Sequence, residues 1–106
     1  MATVAEYAIT QADLRNLLGG EGGVDLERVI EHGQQVAMRI VGIQPGTTAD
    51  RLGARNGDTI VAINAIPLRS IAEAYRAADL GVARGELTIT GTRDGAPYVT
   101  VLKLVS

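Results

Sequence analysis

Apolar positions along the chain recur in two periods, one of about two residues and one of about three and a half, and the switches between them mark the elements. From Val24 to Ile43 the pattern is of the strand type. Leu26, Val29 and Ile30 precede a polar break at His32-Gly33-Gln34-Gln35, and Val36, Met38, Ile40 and Ile43 follow it, which predicts two strands joined by a short turn. Thr59 to Asn64 is rich in β-branched residues and apolar on both faces, as expected of a central strand. Glu86–Thr92 and Pro97–Val105 alternate again, with Arg93-Asp94-Gly95-Ala96 between them. Asp-Gly between two alternating runs predicts a hairpin.

The helical stretches are bounded by their caps. Thr10-Gln11-Ala12-Asp13 has the hydroxyl and the third-position acid of a capping box, and Leu14, Leu17 and Leu18 follow at helical spacing before Gly19. Ser70-Ile71-Ala72-Glu73 repeats the device and opens a helix expected to run to about Leu80, with Gly81 closing it. Gln44-Pro45-Gly46-Thr47 suits a type II turn, because Pro45 presets φ at the second position and Gly46 accepts positive φ at the third. Thr47 then caps a one-turn helix with Asp50 at its third position, Leu52 pointing inward and Gly53 ending it. Asn56-Gly57-Asp58 forms a second turn. Four glycines within Gly19–Gly23 read as a flexible link, since the Lys-Ser/Thr pair or the strand–loop–helix setting of a phosphate loop is missing.

The expected order is helix, strand, strand, short helix, strand, longer helix, strand, strand. Strand pairs joined by hairpins favour an α+β fold, a small, partly open antiparallel sheet or barrel capped by two helices, with an extra N-terminal helix. Residues 1–23 form the N-terminal helix and linker and residues 24–106 the domain proper.

Composition narrows the chemistry. The chain has 106 residues, enough for one domain, and 46% hydrophobic content is too high for a disordered segment. There is no cysteine and a single histidine, His32, so neither a zinc site nor a thiol nucleophile is expected, and no cofactor. Ten Lys+Arg are scattered among twelve Asp+Glu with few aromatic residues, unlike a nucleic-acid-binding face. Apolar runs such as Ile60–Ile63 fall far short of the roughly 20 residues that span a bilayer, and Met1–Glu6 is no signal peptide. The chain is expected to be soluble, either cytosolic or a piece of a longer protein whose targeting segment lies elsewhere. Ser70 is accounted for as a cap, His32 as a turn residue, and Asp25, Asp58 and Asp94 as strand-start or turn residues. No catalytic constellation is left, and the chain is not expected to be an enzyme.

The stretch from Gly42 to Asn64 resembles the bacterial PDZ signature: Pro45-Gly46-Thr47, a short helix ending in Gly53, Gly57-Asp58, an apolar strand and Ile63-Asn64. The longer order of elements, from about residue 7 to 104, is similar to the periplasmic PDZ domain of the type II secretion protein C. The resemblance implies a protein- or peptide-binding module on the periplasmic side of a bacterial inner membrane, anchored by a segment outside this chain, with the secretin or exported proteins as partners. The regulatory PDZ domain of a periplasmic or membrane protease is the alternative. Such a domain binds an extended segment by strand addition. Mapped onto this chain, the pattern places the binding edge on Val36, Ala37, Met38, Arg39 and Ile40, and the groove-facing side of the helix on Ile71, Tyr75 and Ala78, with Ala74 and Ala77 toward the core. Ala37 and Met38 stand where carboxylate-capturing loops have a glycine and an aromatic residue, which favours an internal strand or a folded surface as the ligand. Ala65, in place of the usual glycine after Ile-Asn, implies a turn without positive φ.

Overall fold

The computed structural model describes residues 3–18 and 25–105. Its elements are β1 (Thr3–Thr10), α1 (Gln11–Leu18), β2 (Asp25–Glu31), β3 (Gln34–Val41), α2 (Thr48–Arg51), β4 (Thr59–Ile63), β5 (Ile66–Pro67), α3 (Ile71–Arg84), β6 (Glu86–Arg93) and β7 (Ala96–Val105). The seven strands form a single sheet in the order β1-β7-β6-β4-β3-β2, with β5 paired to β4 off that path. The Gly19–Gly23 link lies outside the described residues.

Local chemistry accounts for most of these elements. The β2–β3 hairpin turns at His32 and Gly33 with φ of 51° and 78°, and β6–β7 turns at Asp94 and Gly95 with 54° and 78°. These are the two-residue turns whose twist matches that of paired strands. Thr10 Oγ1 accepts the Asp13 N–H at 3.1 Å and Ser70 Oγ accepts the Glu73 N–H at 3.2 Å, so both predicted caps form. Ahead of α2 the Asp50 carboxylate accepts the Gly46 N–H at 2.8 Å, and Gly46 has the positive φ the turn requires.

Four features differ from expectation. The sheet is mixed, because β1 runs parallel to β7 from Thr3↔Tyr98 to Thr10↔Val105. β1 itself had no clear hydrophobic alternation: Ile9 is its only buried residue, and it is held by backbone pairing and an exposed Glu6–Lys103 ion pair. The N-terminal segment, set apart in the sequence as helix plus linker, thus supplies an edge strand to the domain, and Leu14 of α1 lies in the core. Secondly, α3 runs one turn past Gly81. A Cβ there would come within 2.6 Å of Leu87 Cγ and 2.9 Å of Asn64 Nδ2, so Gly81 answers to close packing, and Gly85 with φ 79° ends the helix. Thirdly, the turn after β4 does use positive φ, 49° at Asn64 and 64° at Ala65. Asn64 is held there by accepting the Thr88 N–H at 2.7 Å and donating to the Glu86 carbonyl at 3.3 Å. The fourth is the identity of the sheet edge.

Candidate binding cleft

A free strand edge was expected at residues 36–40, and the sheet order places it elsewhere. β3 is paired on one side with β2 along its length and on the other with β4, through Met38↔Ile60 and Arg39↔Thr59. The outer strand at this side of the sheet is β2, seven residues whose second edge pairs with no strand among the described residues.

Register decides which β2 side chains belong to the inner face. Residues directly opposite each other in an antiparallel pair share a face. Leu26 pairs with Ile40 and Arg28 with Met38, and both β3 partners are buried. The register then shifts between Val29 and Ile30: Val29 pairs with Ala37 and Ile30 with Gln35, which leaves Val36 as the extra residue of a bulge. Leu26, Arg28 and Ile30 therefore line up on the side of the buried Met38 and Ile40, while Leu26 and Ile30 remain 48% and 47% exposed.

Across from this strand lies the open face of α3, where Ile71 is 53% and Tyr75 52% exposed. Between the two runs an apolar cleft of about 450 Å³, with Met38 and Ile40 on its floor, Leu26 on one wall, Ile71 and Tyr75 on the other, and Leu17 of α1 among its lining. Polar contacts hold the walls at a fixed separation. Gln35, 7% exposed, donates its amide to the Leu68 carbonyl at 2.8 Å, tying β3 to the segment that enters α3, and its Oε1 accepts from Arg28 Nε at 2.8 Å. At the far end of the cleft Asp58 and Arg93 form a bidentate pair, with Arg93 Nε donating to Oδ1 at 2.9 Å and Nη2 to Oδ2 at 2.6 Å. The guanidinium also donates to the Gly53 carbonyl at 2.7 Å and lies 3.9 Å over the Tyr98 ring. The hydrogen bond to Asp58 holds the Arg93 pKa above its ordinary value.

The expected site residues thus separate into groups. Met38, Ile40, Ile71 and Tyr75 are brought together at the cleft. Ala78 is fully buried in the core, and Ala74 takes its place on the cleft wall; Ala77 faces the core as expected. Ala37 is buried opposite Val29, Val36 occupies the bulge, and Arg39 points to solvent, where it meets Glu27 at 3.8 Å. Leu26, Arg28 and Ile30, on the inner-facing side of the outer strand, are not among the expected residues. A signal for them was present: β2 carries four charged residues in seven, against one in five for Val36–Ile40, and charge is a mark of edge strands. Among the described residues no group of three or more His, Cys, Asp or Glu is placed to hold a metal ion, and no helix is long and apolar enough to cross a membrane.

A strand edge beside a helix, across an apolar cleft, is an arrangement also found in modules that bind extended segments by strand addition. Residues 39–90 match the family model of the PDZ domain. The fold is similar to the PDZ domain of EpsC from Vibrio cholerae, with a TM-score of 0.64 and 20% identity over 88% of this chain and 89% of that one. It is also similar to the PDZ domain of the pullulanase C protein of the type II secretion system from Klebsiella pneumoniae, solved in complex with fatty acid. There the TM-score is 0.62 and the identity 21%, over 85% of this chain and 90% of that one. A shorter piece of the Vibrio domain covers 77% of this chain, with a TM-score of 0.59. In sequence the chain is 27% identical over 101 residues to a probable periplasmic serine protease do/HhoA-like of Haemophilus influenzae, covering 95% of this chain and 22% of that protein. Residues 39–90 are by this match a PDZ domain, a protein-binding module, and the fold around them is that of the Vibrio and Klebsiella PDZ domains.

Proposed function

We propose that this PDZ domain belongs to an inner-membrane protein C of a type II secretion system, on the periplasmic side, and captures an extended segment of the secretin or of an exported protein in the cleft between β2 and α3. The observation that carries this is the pairing of the outer strand of the sheet with three half-exposed apolar side chains around one cleft, Leu26, Ile71 and Tyr75, with Ile30 on the same face of β2 as Leu26. A segment laid along β2 satisfies N–H and C=O groups that no strand among the described residues pairs with, each bond contributing about 0.5–1.5 kcal/mol net. Its apolar side chains cover the two walls at roughly 25 cal/mol per Å². The domain itself carries out no chemistry. Likeness to the Vibrio and Klebsiella domains supports the secretion assignment, and the longer Vibrio piece covers more of this chain than the shorter one does.

A second reading, the regulatory PDZ domain of a periplasmic protease, is favoured by the Haemophilus relative, which matches in sequence over nearly the whole chain. The flanking gene product separates the two, since a protease domain beside this one overturns the secretion assignment. The cleft is tested with Leu26→Asp and Ile71→Asp against the purified periplasmic part of the cognate secretin. Both variants should melt like the parent, because both positions are exposed. Each should bind at least about tenfold more weakly, a charge in an apolar contact costing more than 1.4 kcal/mol. Binding equal to the parent's in both variants overturns the cleft.

A further inference from the structure

The cleft reading leaves Arg28 unexplained. This side chain sits between Leu26 and Ile30 on the inner face of β2, and its Nε is held by Gln35, a buried amide anchored in turn on the Leu68 carbonyl. No other hydrogen bond or ion pair among the described residues uses its guanidinium, so none of them engages the two terminal nitrogens while Nε is held. A guanidinium oriented from behind and open in front matches a carboxylate, to which it can present its fork. An arginine whose only purpose was solubility would need no buried partner holding its Nε.

Cross-strand geometry converts this into a ligand pattern. A segment added to β2 places alternate side chains directly opposite Leu26, Arg28 and Ile30 on one face. We infer that the domain selects extended segments with the alternation apolar–x–acidic–x–apolar, the central Asp or Glu being read by Arg28 and the flanking side chains by Leu26 with Tyr75 and Ile30 with Ile71. This inference rests on the cleft reading and adds a specificity-determining residue to it. Gln35 is a positioning residue for Arg28.

The test uses three acetylated, amidated peptides, Thr-Val-Thr-Glu-Thr-Val-Thr and its counterparts with central Lys or Gln. They are palindromic and so read the same in either strand direction. NMR titration of the labelled domain should show the Glu peptide binding roughly tenfold more tightly than the Lys peptide at low salt, with the gap closing as salt rises. Arg28→Gln, which keeps a donor for Gln35, should abolish the discrimination, and Arg28→Glu should invert it. Equal binding of all three peptides, lost in Ile71→Asp, overturns the role of Arg28 and leaves the cleft standing. Binding insensitive to Ile71→Asp, or perturbed resonances that lie away from β2 and α3, overturns the cleft itself.

Discussion

Replacing Asp58 by alanine should cost about 3–5 kcal/mol of folding stability, the range for removing one partner of a buried ion pair. Asp58 follows directly on the Asn-Gly turn into β4, and its side chain is only 10% exposed. Its two oxygens accept both bonds from Arg93 and also the Arg55 N–H at 3.0 Å. With the carboxylate gone, Arg93, 14% exposed in the parent, loses both Asp58 bonds and, among the described residues, retains the Gly53 carbonyl and the Tyr98 ring as partners. Both side chains lie well below the exposure at which solvent screening reduces a pair to a few tenths of a kcal/mol. Most of the cost is the stranded guanidinium, so Asp58→Ala with Arg93→Met should be clearly less destabilised than the sum of the single variants, by about 2 kcal/mol. Urea unfolding followed by circular dichroism measures all four corners of this cycle, with slopes expected to match the parent. Single variants each within about 1 kcal/mol of the parent, adding without coupling, would refute the reasoning.

Two further substitutions probe the frame around the cleft. Gly91 faces Ile60 across the β4–β6 pairing, and a Cβ there would overlap the Thr59 carbonyl oxygen, a backbone atom with no room to yield. Gly91→Ala should therefore lose more than about 4 kcal/mol, seen as loss of the cooperative melt, whereas Gly95→Asn, at a left-handed turn position with open space, should melt near the parent. Leu14 is 2% exposed, so Leu14→Ala should cost about 2–5 kcal/mol, and a loss under about 1 kcal/mol by the same denaturation assay would mean that α1 is only an appendage.

What the sequence made legible was local. Ser70 and Thr10 as caps, Asp94-Gly95 and the His32-Gly33 break as hairpin turns, and Thr47 with Asp50 around α2 each act within a few residues, and each is found in place. What was illegible depends on contacts far apart in the chain. β1 exists because residues 3–10 find β7 some ninety positions later, a pairing that leaves almost no pattern in a segment with one buried residue. The choice between β2 and β3 as the edge is of the same kind. Both strands carry apolar residues, and only the pairing of Met38 and Arg39 with β4 makes β3 internal and β2 the outer strand. On α3 the helical spacing puts Ile71, Tyr75 and Ala78 on one face; Ile71 and Tyr75 line the cleft, whereas Ala78 lies past it, where the helix packs into the core.

The capture edge can be observed directly through amide hydrogen exchange. In the free domain, the β2 amides that point away from β3 should exchange quickly. On adding the Glu-centred palindromic peptide near saturation they should become protected, while those of β1, at the opposite edge of the sheet, keep their free-state rates. Protection that appears along β1, or a β2 edge already protected in the free domain and unchanged by ligand, contradicts the account.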